Sequence, residues 1–476
     1  MRVRTALRRA RVAGPITVLL ALTALLPFAP PPVAASGVIT DIVSGALSWP
    51  VALVAAVVAA AALALGRLIP ATRAAAGAGT RLVLHLWPVL LLTVIYPIAS
   101  HRMAGHHVGG VALTTFLLAV ALTVPWLIQG ACMPMYRILG ELVTSDDVGA
   151  LRRRFCAAWP AAFVGSVPVL VIAAAPLGPV LGWSPTAIGA FLLLGALNVL
   201  FAQVLVLANL GPSRVGWAVA WTAYSLPVLV APTRWYLPPL LGLVVASIGL
   251  ARHLGTRPVR LSGRDLAGDV VRGLLLGSVM WADKVFYFFS SAGQFPVATV
   301  FLALLPAVLA YNYYFICMAP VFDASVARLR TAMQSESLGA LGDCSRAVSR
   351  TVTASLRRTA LVGAVFVCVA SWILAAVAPG QVALIASVSI ASWLFAMITV
   401  VCYKVDYVGE RRPGQVVGIL HIVVCAAAFL LLPLGATAYL AVLGIEVLAL
   451  VAVVVVFRRV FRAPEYTVFW RHALAW

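Results

Sequence analysis

The chain has 476 residues, 63% of them hydrophobic and only 10% charged, with a formal net charge of +20. So little polar surface excludes a soluble globule, and the many apolar runs point to an all-α polytopic membrane protein. The basic excess is not a nucleic-acid footprint, because it is not gathered on one soluble face but alternates from loop to loop.

A bilayer-spanning helix needs about 20 residues at about 1.5 Å rise. Apolar runs of that kind predict fourteen spans, near 13–33, 46–66, 82–99, 110–131, 157–176, 186–210, 215–231, 235–252, 273–290, 295–319, 359–378, 381–403, 415–434 and 437–457. With the N-terminus cytoplasmic, every one of the 34 Lys and Arg residues except Arg102, Arg234 and Lys284 falls on the inner side. The positive-inside rule therefore sets the orientation, with both termini cytoplasmic if the first helix is retained.

The first 36 residues join a basic stretch (Arg2, Arg4, Arg8, Arg9, Arg11) to an apolar run and to Val33-Ala34-Ala35, which resembles a signal-peptidase site. A cleaved signal and a retained helix orient everything downstream alike. Retention is the preferred reading, since a polytopic protein needs no cleavage for insertion. Residues 1–80 thus form a two-helix extension, 81–254 one six-helix lobe, 255–272 a polar basic linker, 273–460 a second six-helix lobe and 461–476 a cytoplasmic tail.

Each lobe places its longest inner loop between its second and third helices, from Met133 to Cys156 and from Pro320 to Arg358. Such weak internal symmetry is common in transporters. The segment 320–358 carries Val321, Leu329, Met333, Leu338 and Leu341 among basic residues, so it reads either as an amphipathic helix on the inner membrane surface or as a span prolonged into the cytoplasm.

The ninth span sets Asp283 and Lys284 near its middle, followed by Phe286, Tyr287, Phe288 and Phe289. A charge at mid-depth costs roughly 2.5 to 3.5 kcal/mol on insertion scales, so such groups face a bundle interior or a watery cavity. Neighbouring helical residues point about 100° apart. That separation predicts that Asp283 and Lys284 do not neutralise each other, and Glu446, central in the last span, is the expected partner of Lys284 at similar depth. The cluster then either fixes helix packing or lines a substrate cavity or a titrating site for coupling ions.

The tenth span adds Pro296, Pro306 and the patch Tyr311, Asn312, Tyr313, Tyr314 near its inner end, either an interfacial aromatic belt or a stacking platform for sugars. His85 and His421, in or near spans, read as interhelical hydrogen bonds or as proton relays, and His101, His106 and His107 as a solvated outer loop or a metal or pH site. The seven cysteines fit no zinc spacing and imply no disulfide framework, so small buried hydrophobes are expected. The outer loops contain a single carboxylate, Asp41. Glu141, Asp146 and Asp147 lie on the inner side, but no phosphate-binding glycine motif accompanies them, so ATP-driven chemistry is not expected within this chain.

Trp281-Ala282-Asp283-Lys284 with Phe286 and Phe288, then Phe301-Leu302-Ala303 ahead of Pro306, Tyr403-Lys404 through Asp406 with Arg411-Arg412, and Glu465-Tyr466 resemble the PelG-like Pel exopolysaccharide transporter family. That family belongs to the multidrug, oligosaccharidyl-lipid and polysaccharide flippase superfamily. The resemblance covers roughly residues 81 to 470 and is strongest from 270 onward. It implies a twelve-helix core of two lobes around a central cavity, opening alternately to either side, and export of a hexosamine-rich polysaccharide together with a cytoplasmic glycosyltransferase and membrane accessory subunits. Asp283 and Lys284 are the matching motif positions; Glu446 rests on the physical argument alone. The family's acid-rich stretch after the second helix of the second lobe is reduced here to Asp323, and its usual N-terminus is replaced by the two-helix extension.

The expectation is therefore a cytoplasmic-membrane exporter or flippase of a polysaccharide or lipid-linked oligosaccharide, using Trp281, Asp283, Lys284, Tyr311, Asn312, Asp323 and Glu446. No catalytic residue, cofactor, metal or nucleic-acid partner is expected; the lipid bilayer is. An ion-coupled small-molecule antiporter and a membrane glycosyltransferase or ligase are the alternatives.

Overall fold

A computed structural model describes residues 73–140, 142, 147–210, 215–294 and 296–473. The expected spans at 13–33 and 46–66, the choice between signal and retained helix, Asp41, Glu141, Asp146 and the last three residues of the tail lie outside them.

Among the described residues the protein is almost wholly helical. Eight helices are long and apolar enough to cross a membrane, which makes it a multi-pass membrane protein. The reason is the solvent: in hydrocarbon each backbone N–H and C=O must be satisfied within its own segment, and a helix does this for any sequence of apolar side chains. Prolines inside helices, such as Pro125, Pro160, Pro227 and Pro306, are tolerated on the same terms.

The chain divides into two compact units, residues 1–270 and 271–476. In the first, α1 (Arg73–Met103) leads to a two-stranded hairpin, β1 (His107–Val108) with β2 (Val111–Ala112). His107 pairs with Ala112 and Val108 with Val111, so the turn is Gly109-Gly110, both with positive φ (57° and 88°). Only glycine takes that pair of conformations without strain. Then follow α2 (Leu113–Gly140), α3 (Val148–Ala174), the short α4 (Leu177–Leu181), α5 (Pro185–Leu210), α6 (Val215–Val230) and α7 (Leu237–Ser247), which continues as a 3₁₀ turn to His253. Arg102 caps the end of α6 by donating to the carbonyls of Leu229 and Val230. His85 stacks on Trp217 with ring centroids 5.4 Å apart, and His101, His106 and His107 are exposed.

The second unit contains α9 (Val297–Tyr313), a π-helical turn (Tyr314–Met318), α10 (Ala319–Ser335), α11 (Leu338–Val377), α12 (Val382–Tyr407), α13 (Arg412–Leu431), α14 (Ala436–Val460) and α15 (Pro464–Ala473), with α8 (Gly263–Ser290) entering from the boundary. Helix α12 is its centre, packed by α9, α11, α13 and α14. Helix α14 shows the inside-out pattern of a membrane protein. Leu440, Leu448, Val451 and Val455 are exposed, whereas Tyr439, Val442, Glu446, Ala449 and Val453 form a buried stripe at helical spacing.

Four expectations change. The linker 255–272 is not all loop, because α8 already begins at Gly263. The segment 320–358 is no separate surface helix: α10 and α11 prolong the flanking spans and meet at a turn where the Ser337 hydroxyl accepts from the Ala340 N–H at 3.4 Å. The loop from Met133 to Cys156 shrinks in the same way between α2 and α3. There the Asp147 carboxylate caps α3 by accepting from Gly149 and Ala150 at 2.8 and 3.0 Å. Finally, no cysteine is in a disulfide among the described residues, but Cys317 and Cys344 are only partly buried and Cys368 is exposed on α11.

Candidate functional site

Helix α8 approaches α13 closely because α13 presents glycines to it. A Cβ at Gly414 would sit 3.2 Å from Leu276, and one at Gly418 would run into the Leu275 carbonyl. The Ser278 hydroxyl donates to the Leu275 and Gly418 carbonyls at 2.8 and 3.2 Å, tying the helices together. One turn further along α8, Asp283 and Lys284 enter the interior of the second unit, at 0% and 1% exposure.

There the ammonium of Lys284 curls back along its own helix. It lies 3.0 Å from Asp283 Oδ2 and donates to the Met280 carbonyl at 3.1 Å. The expectation that these neighbours do not neutralise each other is thus corrected. The 100° separation describes Cα–Cβ directions, and the four-carbon lysine stem is long enough to span it.

The expected Lys284–Glu446 pair is corrected as well. Glu446 Oε1 lies 2.7 Å from His421 Nδ1, an interhelical contact from α14 to α13, both residues being fully buried. His421 Nε2 lies 3.3 Å from Cys425 Sγ. Phe395 of α12 touches both halves of the cluster. The Lys284 ammonium sits 5.5 Å from its ring centroid, and its ring meets that of His421 edge-on at 4.8 Å. The Tyr439 hydroxyl lies beside the Asp283 carboxylate, in an aromatic group with Tyr287 and Phe429.

Asp283 and Glu446 are thus two buried acids set beside two buried bases, Lys284 and His421. Gain or loss of a single proton among these four groups changes the net charge of a dry interior by one unit. Glu446 Oε2 has no hydrogen-bond partner among the described residues, which adds to the cost of burying this carboxyl. Asp283, Lys284 and Glu446 are at most 1% exposed, so the cluster is closed to solvent in this conformation.

The other expected site residues do not join it. Trp281 and Tyr311 pack on the apolar cluster of Leu304, Ala307 and Ala396. The Asn312 side chain donates to the Val308 carbonyl of its own helix at 2.8 Å. Tyr311 packs on Phe315 at 4.7 Å, beside the π-helical turn, and Asp323 is exposed on α10.

A second polar centre, at the end of α12, was not anticipated. The Lys404 ammonium lies 3.6 Å from the Phe322 ring centroid and within 5.6 Å of those of Tyr314 and Tyr407, and no carboxylate pairs with it among the described residues. Asp406, two residues on, is ion-paired with Arg272 instead. In the first unit Arg137 of α2 is ion-paired with Asp269 in the early turns of α8. Among the described residues no group of three or more His, Cys, Asp or Glu side chains is placed to hold a metal ion.

Fold and site together define a multi-pass helical membrane protein with a buried cluster of ionisable side chains in its second unit. No family model, curated protein or solved structure matches the chain.

Proposed function

We propose that this protein is a cytoplasmic-membrane exporter or flippase of a polysaccharide or lipid-linked oligosaccharide, working by alternating access, with the Asp283, Lys284, His421 and Glu446 cluster as its coupling site. One observation carries the transport half of this reading: two buried acids and two buried bases meet in one closed cluster, where gain or loss of a single proton changes the net charge. Intramembrane ionisable groups mark ion and substrate pathways.

Release of one proton from the neutral cluster leaves a net charge in a site with no water-facing atoms, which favours separation of α13 from α14 and entry of water. Rebinding restores the closed pair. A proton crossing 100 mV supplies about 2.3 kcal/mol, enough to bias two conformations that differ by a few kcal/mol. The glycan half rests on the resemblance in the α8, α9 and α12 motifs, as do the cytoplasmic glycosyltransferase and accessory subunits expected as partners. Cytoplasmic termini rest on the basic loops.

Deletion of the gene tests the reading. Glycan made at a normal rate but retained inside the cell supports it, and normal secretion refutes it. The closed, ion-sized cluster also favours a second reading, an ion-coupled antiporter of small molecules. Dye extrusion that follows a proton gradient, with secretion of glycan unaffected by deletion, selects that alternative.

A further inference from the structure

Helix α11 has 40 residues, about 60 Å at 1.5 Å each, twice the hydrocarbon thickness of roughly 30 Å. Its outward face changes character once. Arg350 and Arg357 are exposed, and the same stripe continues as Leu361, Val365 and Trp372, at 65%, 52% and 76% exposure. The apolar part runs from Leu361 to the helix end, roughly 24 Å, close to a bilayer core. The change from charge to hydrocarbon falls within one turn, between Arg358 and Leu361, so the arginines stand at headgroup level.

At that level the surface is concave. Ser349, Arg350, Thr353, Arg357, Arg358 and Leu361 line a shallow, open groove of about 580 Å³. None of the three arginines is in an ion pair among the described residues, whereas the neighbouring Arg346 is paired with Asp343 at 2.6 Å. Three guanidinium groups, two hydroxyl donors and an apolar edge match one ligand chemistry: a phosphate monoanion or diester joined to acyl chains. A guanidinium binds phosphate through paired, charge-assisted hydrogen bonds, and Leu361, Val365 and Trp372 supply contact for the chains.

We infer that the α11 groove binds the headgroup of an anionic phospholipid, with the acyl chains laid along Leu361, Val365 and Trp372. The site lies on the outward face of α11, and its arginines are distinct from the buried cluster of the transport reading. The lipid anchors α11 at the level where its charged face gives way to its apolar face.

Native mass spectrometry of the full-length protein titrated with short-chain phosphatidylglycerol tests this. Each basic residue at an anionic surface contributes about fivefold in affinity, so the Arg350→Gln/Arg357→Gln/Arg358→Gln variant is expected to retain the lipid roughly a hundredfold less well. Arg357→Gln alone, should the triple variant not fold, is expected to lose about fivefold. Arg346→Gln is expected to bind as wild type, and phosphatidylcholine to bind more weakly than phosphatidylglycerol. Equal retention by wild type and the arginine variants, equal binding of the two lipids, or displacement of phosphatidylglycerol by inorganic phosphate alone would overturn the inference.

Discussion

Replacing His421 with leucine leaves the Glu446 carboxylate fully buried without its 2.7 Å partner, and replacing Glu446 with leucine strands the His421 Nδ1 in the same interior. Breaking a buried pair from one side costs about 3 to 5 kcal/mol, because the surviving group keeps its desolvation penalty. Removing both partners together, with apolar groups of similar volume, is close to neutral. Interhelical hydrogen bonds in membranes average only about 0.6 kcal/mol, since partners are also found in the unfolded state. The charge and complete burial of this pair place its coupling well above that average: two single losses of about 3 to 5 kcal/mol against a near-neutral double variant give roughly 6 to 10 kcal/mol, reduced by whatever partners the unfolded state supplies. A double-mutant cycle on His421→Leu and Glu446→Leu, read by reversible SDS unfolding of purified protein, measures it. Additivity of the two single variants within about 0.5 kcal/mol would refute the reasoning.

Gly418→Ala drives a methyl into the Leu275 carbonyl and pushes α8 from α13; a loss of about 1 to 3 kcal/mol is expected, visible as a lower Tm, and an unchanged Tm contradicts the close approach. Lys404→Met, which exchanges a caged amine without a carboxylate partner among the described residues for an apolar chain of similar length, is expected to leave stability within about 2 kcal/mol of wild type, whereas Lys404→Glu is expected to yield no folded protein. Asp147→Ala removes the α3 cap, so the amides of Gly149 and Ala150 should exchange faster with deuterium, while those at the middle of α3 stay unchanged. The Ala150 N–H, then the Gly149 N–H and the Arg153 charge, hold the Asp147 carboxyl below its usual value. The cap is therefore complete above a pH of about 4 and fades as pH falls through the lowered value, so protection of these amides should drop on acidification and not on alkalinisation.

The helices from 82 to 457 were legible because each apolar run is long enough to be a helix on hydropathy alone; each run overlaps a helix of the structure, and eight helices among the described residues are long and apolar enough to cross a membrane. Helix ends outside the membrane were not. Gly263 to Arg272 and Ala319 to Arg358 carry charges that break the apolar run while leaving helical geometry intact, so hydropathy stops where the helix does not. Asp283, Lys284 and Glu446 stood out as isolated charges, but their pairing depends on side-chain reach, which spacing does not encode. His421 carried an unused signal: it and Glu446 stand equally far from the turn at Pro433 and Leu434, so an antiparallel helix pair sets them at one depth. Lys404 gave no such signal, because its cage is assembled from Tyr314, Phe322 and Tyr407 on separate segments.

The most direct test places wild type and Glu446→Gln in liposomes containing a lumenal pH dye and lipid-linked oligosaccharide extracted from host membranes. Glutamine keeps a hydrogen-bonding group towards His421 but removes the carboxyl group able to gain and lose a proton. Wild type is expected to move protons together with the glycan under an imposed pH gradient, and Glu446→Gln to fold normally yet lose that coupling. Proton movement and glycan flipping at wild-type rates in Glu446→Gln would contradict the account.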